Sequence, residues 1–292
     1  MSLGILTNVA ATYAENNLNQ TQNSLQTTLQ QLSSGSRINS GADDAAGLSI
    51  SDGLSANQAA LTQSAQNAQN GVGLLQTADG ALSQVTNLLD RATTLATEAS
   101  NGGLTAAQTT AADTEFQSII TEIGNIGTST NFNGTNVFSA TPTNFVVSDG
   151  TVGGTTTIGA TVGALTAASV GVTTTDTLGV ITTAAGQAFT AAADNLTTQT
   201  FAQSTLTDIT TAIGDVSAQR GAIGANINQL NAAANVASSE EVNLSSAQSS
   251  ILSTNYGQAT SDLAKYQVLS QTGISALAQA NSSQQEILKL LQ

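Results

Sequence analysis

The residues best placed to do chemistry stand at 37–44, in the stretch RINSGADD: Arg37, then the paired carboxylates Asp43 and Asp44. Paired carboxylates serve general acid–base catalysis or hold a hard cation. The surroundings support neither. The chain has no His and no Cys, no second acidic cluster stands nearby in sequence, and no Gly-rich calcium-loop pattern frames the pair. Without imidazole and thiolate, the commonest general base, the thiol nucleophile and the usual zinc ligands are lost together. The composition points away from an enzyme. A structural role is left for the pair: Asp43 as the N-cap of a following helix, or both as first-turn anions favoured by the helix dipole. Arg37 reads either as an exposed linker charge or as a polar contact to another subunit.

The charge balance narrows the classes further. Charged residues make up 8% of the 292, against about 25% in ordinary domains, and they split into 5 basic and 19 acidic for a net charge of −14. No cluster of Lys or Arg exists to neutralise phosphates, so nucleic acid is not the partner. No apolar run is long enough to span a membrane. The N-terminal stretch lacks the basic region, apolar core and cleavage site of a secretory signal. Ala, Ser, Thr, Asn and Gln fill the place of charge. A lone soluble helix carries a charged outer face, so helices with uncharged faces are expected to pack small residues against several neighbours.

Long elements carry these residues. Over 3–33 the apolar residues Ile5, Val9, Tyr13, Leu18, Leu25, Leu29 and Leu32 predict a helix with a narrow seam. Glycine and serine around 35 end it. Over 44–100, Leu54, Leu61, Ala65, Ala68, Val72 and Leu75 give a heptad-like seam, which slips at Ala78 and resumes with Leu82, Val85, Leu89, Ala92, Ala96 and Ala99. A shorter helix is expected over 104–127. From 128 to 197 the texture turns to Gly, Thr and Val; the runs Phe145–Val147 and Thr155–Ile158 beside turn residues predict β-hairpins and loops. Over 198–251 the series Leu206, Ile209, Ile213, Val216, Arg220, Ile223, Ile227, Leu230, Ala234, Ala237, Glu241, Leu244 alternates steps of 3 and 4, with only Arg220 and Glu241 breaking its apolar character. A last helix over 255–292 carries Leu263, Tyr266, Ile274 and Leu277. The expected fold is mainly α: a long antiparallel helical coiled-coil or bundle rod, with a small β-hairpin region in the middle of the chain and domains each built from an N-terminal and a C-terminal piece.

The same residues carry a family resemblance. LQQLSSGSRINSGADDAAGLSIS resembles the flagellin N-terminal signature, and NLLDRATTLATEASNG, NFNGTNVFS and GISALAQANSSQQEILKLL resemble further flagellin blocks in the family's order. Together they cover roughly 1–140 and 200–292. The resemblance implies a structural subunit that polymerises into the extracellular flagellar filament used for swimming. It implies 1–43 with 253–292 as terminal inner-core helices (D0), 44–140 with 198–252 as a long-helix rod (D1), and 141–197 as the β-hairpin outer part of D1, with no large outer domain. A hook–filament junction protein and a secreted coiled-coil adhesin are the alternatives.

The resemblance also implies roles and partners. Leu18, Leu25, Leu29, Leu32, Leu263, Tyr266, Ile274, Leu277, Leu288 and Leu291 would form the assembly core; the low-charge ends have few partners within one chain, so 1–35 and 260–292 are expected to be largely disordered in the monomer and to fold on polymerisation. Arg37, Asp43 and Asp44 would lie in the connector. Arg91, Leu95 and Glu115 match a surface bound by the innate-immune toll-like flagellin receptor, with Asp90 standing where recognised flagellins carry Gln. Implied partners are further copies of the chain, the flagellar cap and hook-associated proteins, and an export chaperone at the C-terminal region. Export would use the flagellar type III apparatus without a cleaved signal. No cofactor, metal, nucleic acid or membrane insertion is expected.

Overall fold

The structure is a computed structural model that describes residues 8–150, 156–167, 169–174 and 183–290. The expected mainly α fold is observed: α1 (Val9–Ser34), α2 (Ala45–Ala99), α3 (Ala106–Ser129), α4 (Gln199–Leu252) and α5 (Tyr256–Leu290). Among the described residues between α3 and α4 lie three antiparallel strand pairs: β1 (Asn131–Phe132) with β2 (Thr135–Asn136), β3 (Thr143–Val146) with β4 (Thr157–Ala160), and β5 (Val170–Thr174) with β6 (Thr183–Gln187). The chain divides into two compact units, one from its beginning to Ala56 together with Asn243 onward, the other from Asn57 to Val242.

The second unit holds the larger core. In the second unit α2 buries Leu61, Ser64, Ala68, Gly71, Leu75, Ala78, Leu82, Val85, Leu89, Ala92, Ala96 and Ala99, in steps of 3 and 4, with Leu95 buried beside that stripe. The expected slip at Ala78 does not exist. Ser64 and Gly71 continue the stripe where sequence favours their apolar neighbours Ala65 and Val72, which sit only half-buried at its edge. Both departures from apolar character have a reason. Ser64 Oγ donates to the Ser148 carbonyl at 2.9 Å, and a Cβ on Gly71 would collide with Leu230 and Phe145.

The buried stripe of α4 is likewise one residue out of the expected register in places: Ala202, Thr205, Ile209, Ala212, Val216, Gln219, Ile223, Asn226, Leu230. Gln219, not Arg220, lies in the stripe, its amide donating to the Val162 carbonyl. Arg220 turns to the rim and pairs with Asp79 of α2, Nε to Oδ1 at 2.7 Å. That bond keeps the Arg220 guanidinium firmly protonated. Phe116, Ile119, Ile120 and Ile123 of α3 complete the core, and the α3 start is fixed by a capping box between Thr105 and Gln108.

The β pairs are local. Phe145 and Ile158, each in a run expected to be strand, are register partners across β3 and β4. The β1–β2 turn is Asn133-Gly134 with both φ positive, 50° and 77°, the backbone of a tight primed hairpin turn that Gly tolerates at no cost. The low surface charge is offset within the helices: hydroxyls of Thr86, Thr93 and Thr97 each donate to the carbonyl four residues back, at 2.7 to 3.0 Å. Among the described residues no helix is long and apolar enough to cross a membrane.

Candidate assembly surfaces

In the first unit, α1 and α5 run antiparallel. Asn8 Nδ2 donates to the Ala280 carbonyl at 3.0 Å at one end, and Thr254 Oγ1 donates to the Gln31 carbonyl at 3.4 Å at the other. The α1 face toward α5 is Ala11, Ala14, Leu18, Thr21, Leu25, Thr28 and Leu32; the α5 face is Ala259, Leu263, Tyr266, Ser270, Gly273, Leu277 and Ala280. Both alternate steps of 3 and 4, and apart from Thr28 and Ala259 every member is only half-buried. A two-helix pair can cover one stripe per helix and no more.

The remaining apolar residues point outward. Leu29 is 47% exposed and Ile274 49%, with Val9, Tyr13, Val268 and Tyr256 above 50%. Val9 and Tyr13, expected in one seam with the leucines, lie off the paired face, because their spacing of four drifts around the helix. Ile5 and Leu291 lie outside the described residues, and Leu288 falls within α5. A groove of about 380 Å³ runs along the pair between Ala14–Thr21 of α1 and Leu269–Ala276 of α5. The groove lining mixes apolar Ala14, Leu18, Leu269 and Ala276 with Asn17, Thr21 and Thr272, and it carries no charged side chain.

The connector carries the polar residues. Gly35 ends α1 in the left-handed conformation, its N–H bonded to Gln31 O at 3.0 Å. Ser36 then bridges to Ser253: Arg37 N–H donates to Leu252 O at 2.6 Å, and Thr254 N–H donates to Gly35 O at 3.1 Å. Arg37 Nη2 donates to Ile251 O at 3.1 Å, so the guanidinium meets the orphan carbonyls and negative dipole end of α4. The structure thus gives Arg37 a partner within its own chain.

The two carboxylates have separate duties. Asp44 is the N-cap of α2, its Oδ1 accepting from Gly47 N–H at 2.9 Å. Asp43, expected in that role, instead closes the preceding turn: Oδ2 accepts from Asn39 N–H, Ser40 N–H and Ser40 Oγ at 2.9 to 3.1 Å. These bonds, the one from Asn39 first, hold its pKa below the ordinary carboxylate value. The turn is therefore fully stabilised above the unfolded Asp pKa and loosens as pH falls through the lowered folded value. Asp44→Ala should cost about 1 kcal/mol of local helix stability, read as faster amide exchange at Gly47 and Leu48. Unchanged exchange there would remove Asp44 from the cap.

On the second unit, Arg91 Nε meets Glu115 Oε1 at 2.7 Å on an exposed surface. The bond holds Glu115 below its ordinary pKa and Arg91 above its own. Leu95, expected on that surface, is only 4% exposed and belongs to the core. Its place in the 3,4 spacing one turn beyond the buried Ala92 was the signal for burial. Sequence reasoning also missed the carboxyl contact between Asp194 and Asp208, which, with burial as the larger cause, raises the Asp208 pKa.

Comparison with known proteins finds matches at both ends of the chain. The bacterial flagellin N-terminal helical region matches residues 5–143, and the bacterial flagellin C-terminal helical region matches residues 206–291. The chain belongs to the flagellin family. Flagellin 1 of Proteus mirabilis is 38% identical over 151 residues, 52% of this chain and 41% of that protein. The Serratia marcescens flagellin is 41% identical over 140 residues, 48% of this chain and 40% of that one. The matches span about two-fifths of these curated relatives' length. The crystal structure of Bacillus cereus flagellin matches 59% of this chain and 88% of its own, at 27% identity and a TM-score of 0.45. Flagellins are structural proteins, which agrees with the absence of His and Cys from this flagellin sequence.

Proposed function

We propose that this flagellin is the subunit of an extracellular bacterial flagellar filament, built by repetition of the chain. The observation that carries the reading is the α1–α5 pair. It leaves Leu29, Val268, Leu269 and Ile274 in water, and Glu15 is the one charged residue of α1, so the exposed faces of α1 are otherwise apolar and neutral-polar rather than charged. Further copies of the same surface would cover it. D0 would consist of 1–43 with 253–292, and D1 of 44–140 with 198–252 carrying 141–197 outermost. Shortage of contacts within one chain is the reason to expect the α1–α5 pair to be only marginally stable before assembly and to be held firmly once further copies cover it.

Capping and hook-associated proteins would meet the same surfaces at the filament ends, and an export chaperone would cover the C-terminal helix before secretion. The exposed Arg91 and Glu115 pair would be the part of this unit open to a toll-like flagellin receptor. Purified chain, raised in salt to screen a net charge of −14, should form hollow helical filaments in electron micrographs. Discrete soluble dimers or trimers under the same conditions would overturn the reading.

A further inference from the structure

The seam between α1 and α5 does not specify its own alignment. Leu18, Leu25 and Leu32 are spaced 7 apart on α1, and Leu263 and Leu277 stand 14 apart on α5 with Ser270 midway. Sliding one helix by a heptad, about 10 Å along the axis, would again set leucines and small residues face to face. Neither helix face offers the opposed charges that fix alignment in coiled coils. α1 has one charged residue, Glu15, and among the described residues no ion pair joins the two helices. Hydrogen bonds along the seam are sparse, with Asn8 to Ala280 at its far end.

The end nearest the connectors is different. There Gly35 to Arg37 and Leu252 to Thr254 pair as a short antiparallel ladder, with Arg37 N–H on Leu252 O, Thr254 N–H on Gly35 O, and the Arg37 guanidinium on Ile251 O. Gln31 Nε2 adds a bond to Arg37 O at 3.0 Å. Backbone pairing admits only discrete registers, and these bonds sit directly at the C-terminus of α1 and before the N-terminus of α5. We propose that this clasp, with Arg37 as its positioning residue, pins the register of the α1–α5 pair, selecting one of several heptad-related alignments that the seam alone would accept. Arg37 then acts inside the chain, by deciding which surface the pair presents. The inference rests on the assembly reading only in that a single register makes every copy's surface alike.

The chain's lack of cysteine allows a direct test. A Cβ built on Gly273 lies 3.7 Å from Leu18 Cβ, within the span a disulfide requires. Ala11 and Leu25 stand one heptad to either side of Leu18. Three chains carry G273C with A11C, L18C or L25C, are oxidised both in soluble form and in polymerised form, and are scored as intrachain product on non-reducing gels. Only L18C/G273C should cross-link efficiently. Adding R37P and T254P removes both ladder donors and the guanidinium. The L18C product should then fall at least about twofold while A11C or L25C product rises at least about fivefold. R37A, which spares the backbone bonds, should shift the ratio less, and R37K should restore part of it.

Retention of the L18C product alone, or loss of all three products, in the clasp-broken chain overturns the proposal. Scoring the soluble chain as well keeps the result separate from polymerisation. A chain that cross-links in register but never polymerises overturns the assembly reading and leaves the register pin standing.

Discussion

Phe116→Ala is expected to remove about 3–5 kcal/mol from the unfolding free energy of the soluble chain. Phe116 is fully buried on α3, and its ring meets Phe189 edge-on with centroids 6.1 Å apart and planes at 72°. Phe189 lies in the return stretch between β6 and α4, so the pair ties α3 to the segment leading into α4. Truncation loses the transfer energy of the ring, the edge-to-face contact, and the packing of whatever lined the hole. Domains of this size hold about 5–15 kcal/mol in total, so the variant should unfold at a much lower urea concentration with an unchanged slope. The Ile119, Ile120 and Ile123 side chains on the same helix are packed into the same cluster, and collapse around them sets where in the range the loss falls. A loss under about 1 kcal/mol would mean that α3 is not part of the core.

How far sequence reached depends on what each residue had to signal. Helices and their order were legible because apolar spacing over dozens of residues leaves little choice. The mainly α fold and the hairpin texture around Phe145 and Ile158 followed from it. The phase of the stripes was legible only where the buried residue is apolar. Ser64, Gly71 and Gln219 are buried for reasons of space or hydrogen bonding supplied by distant segments, and an apolar neighbour one position away draws the reading off by 100° of helix. The same mechanism hid the Arg220–Asp79 bond, since Arg220 looked like an interruption of the core.

Polar roles were the least legible. That Asp44 rather than Asp43 caps α2 depends on a turn whose donors are Asn39 and Ser40, and nothing in the composition separates the two. The partner of Arg37 lies 214 positions away in sequence. The leucine seams told that a surface existed and not which members stay in water: Leu29 and Ile274 share their spacing with residues that α1 and α5 cover in one another. Membership of the flagellin family was legible through motifs at both ends of the chain, independently of these polar details.

Leu18→Glu is expected to abolish polymerisation while leaving the second unit as stable as before. Leu18 is half-buried over Gly273, where no neighbouring side chain offers a cation, and it floors the groove along the α1–α5 pair. A carboxylate there would sit three residues after Glu15 on the same helix, a like-charge neighbour. Ordering the pair against further copies would strip that carboxylate of water without a partner, which proteins avoid by not forming the contact at all. The critical concentration for filament growth should rise at least about a hundredfold, equivalent to about 2.8 kcal/mol per subunit. Urea unfolding of the second unit should be unchanged, because Leu18 makes no contribution to the core gathered around α2, α3 and α4. Leu18→Met, which keeps the apolar volume, should polymerise near the parental concentration. Parental assembly by the Glu variant would show that the groove floored by Leu18 is not covered in the filament, and that a different surface joins the subunits.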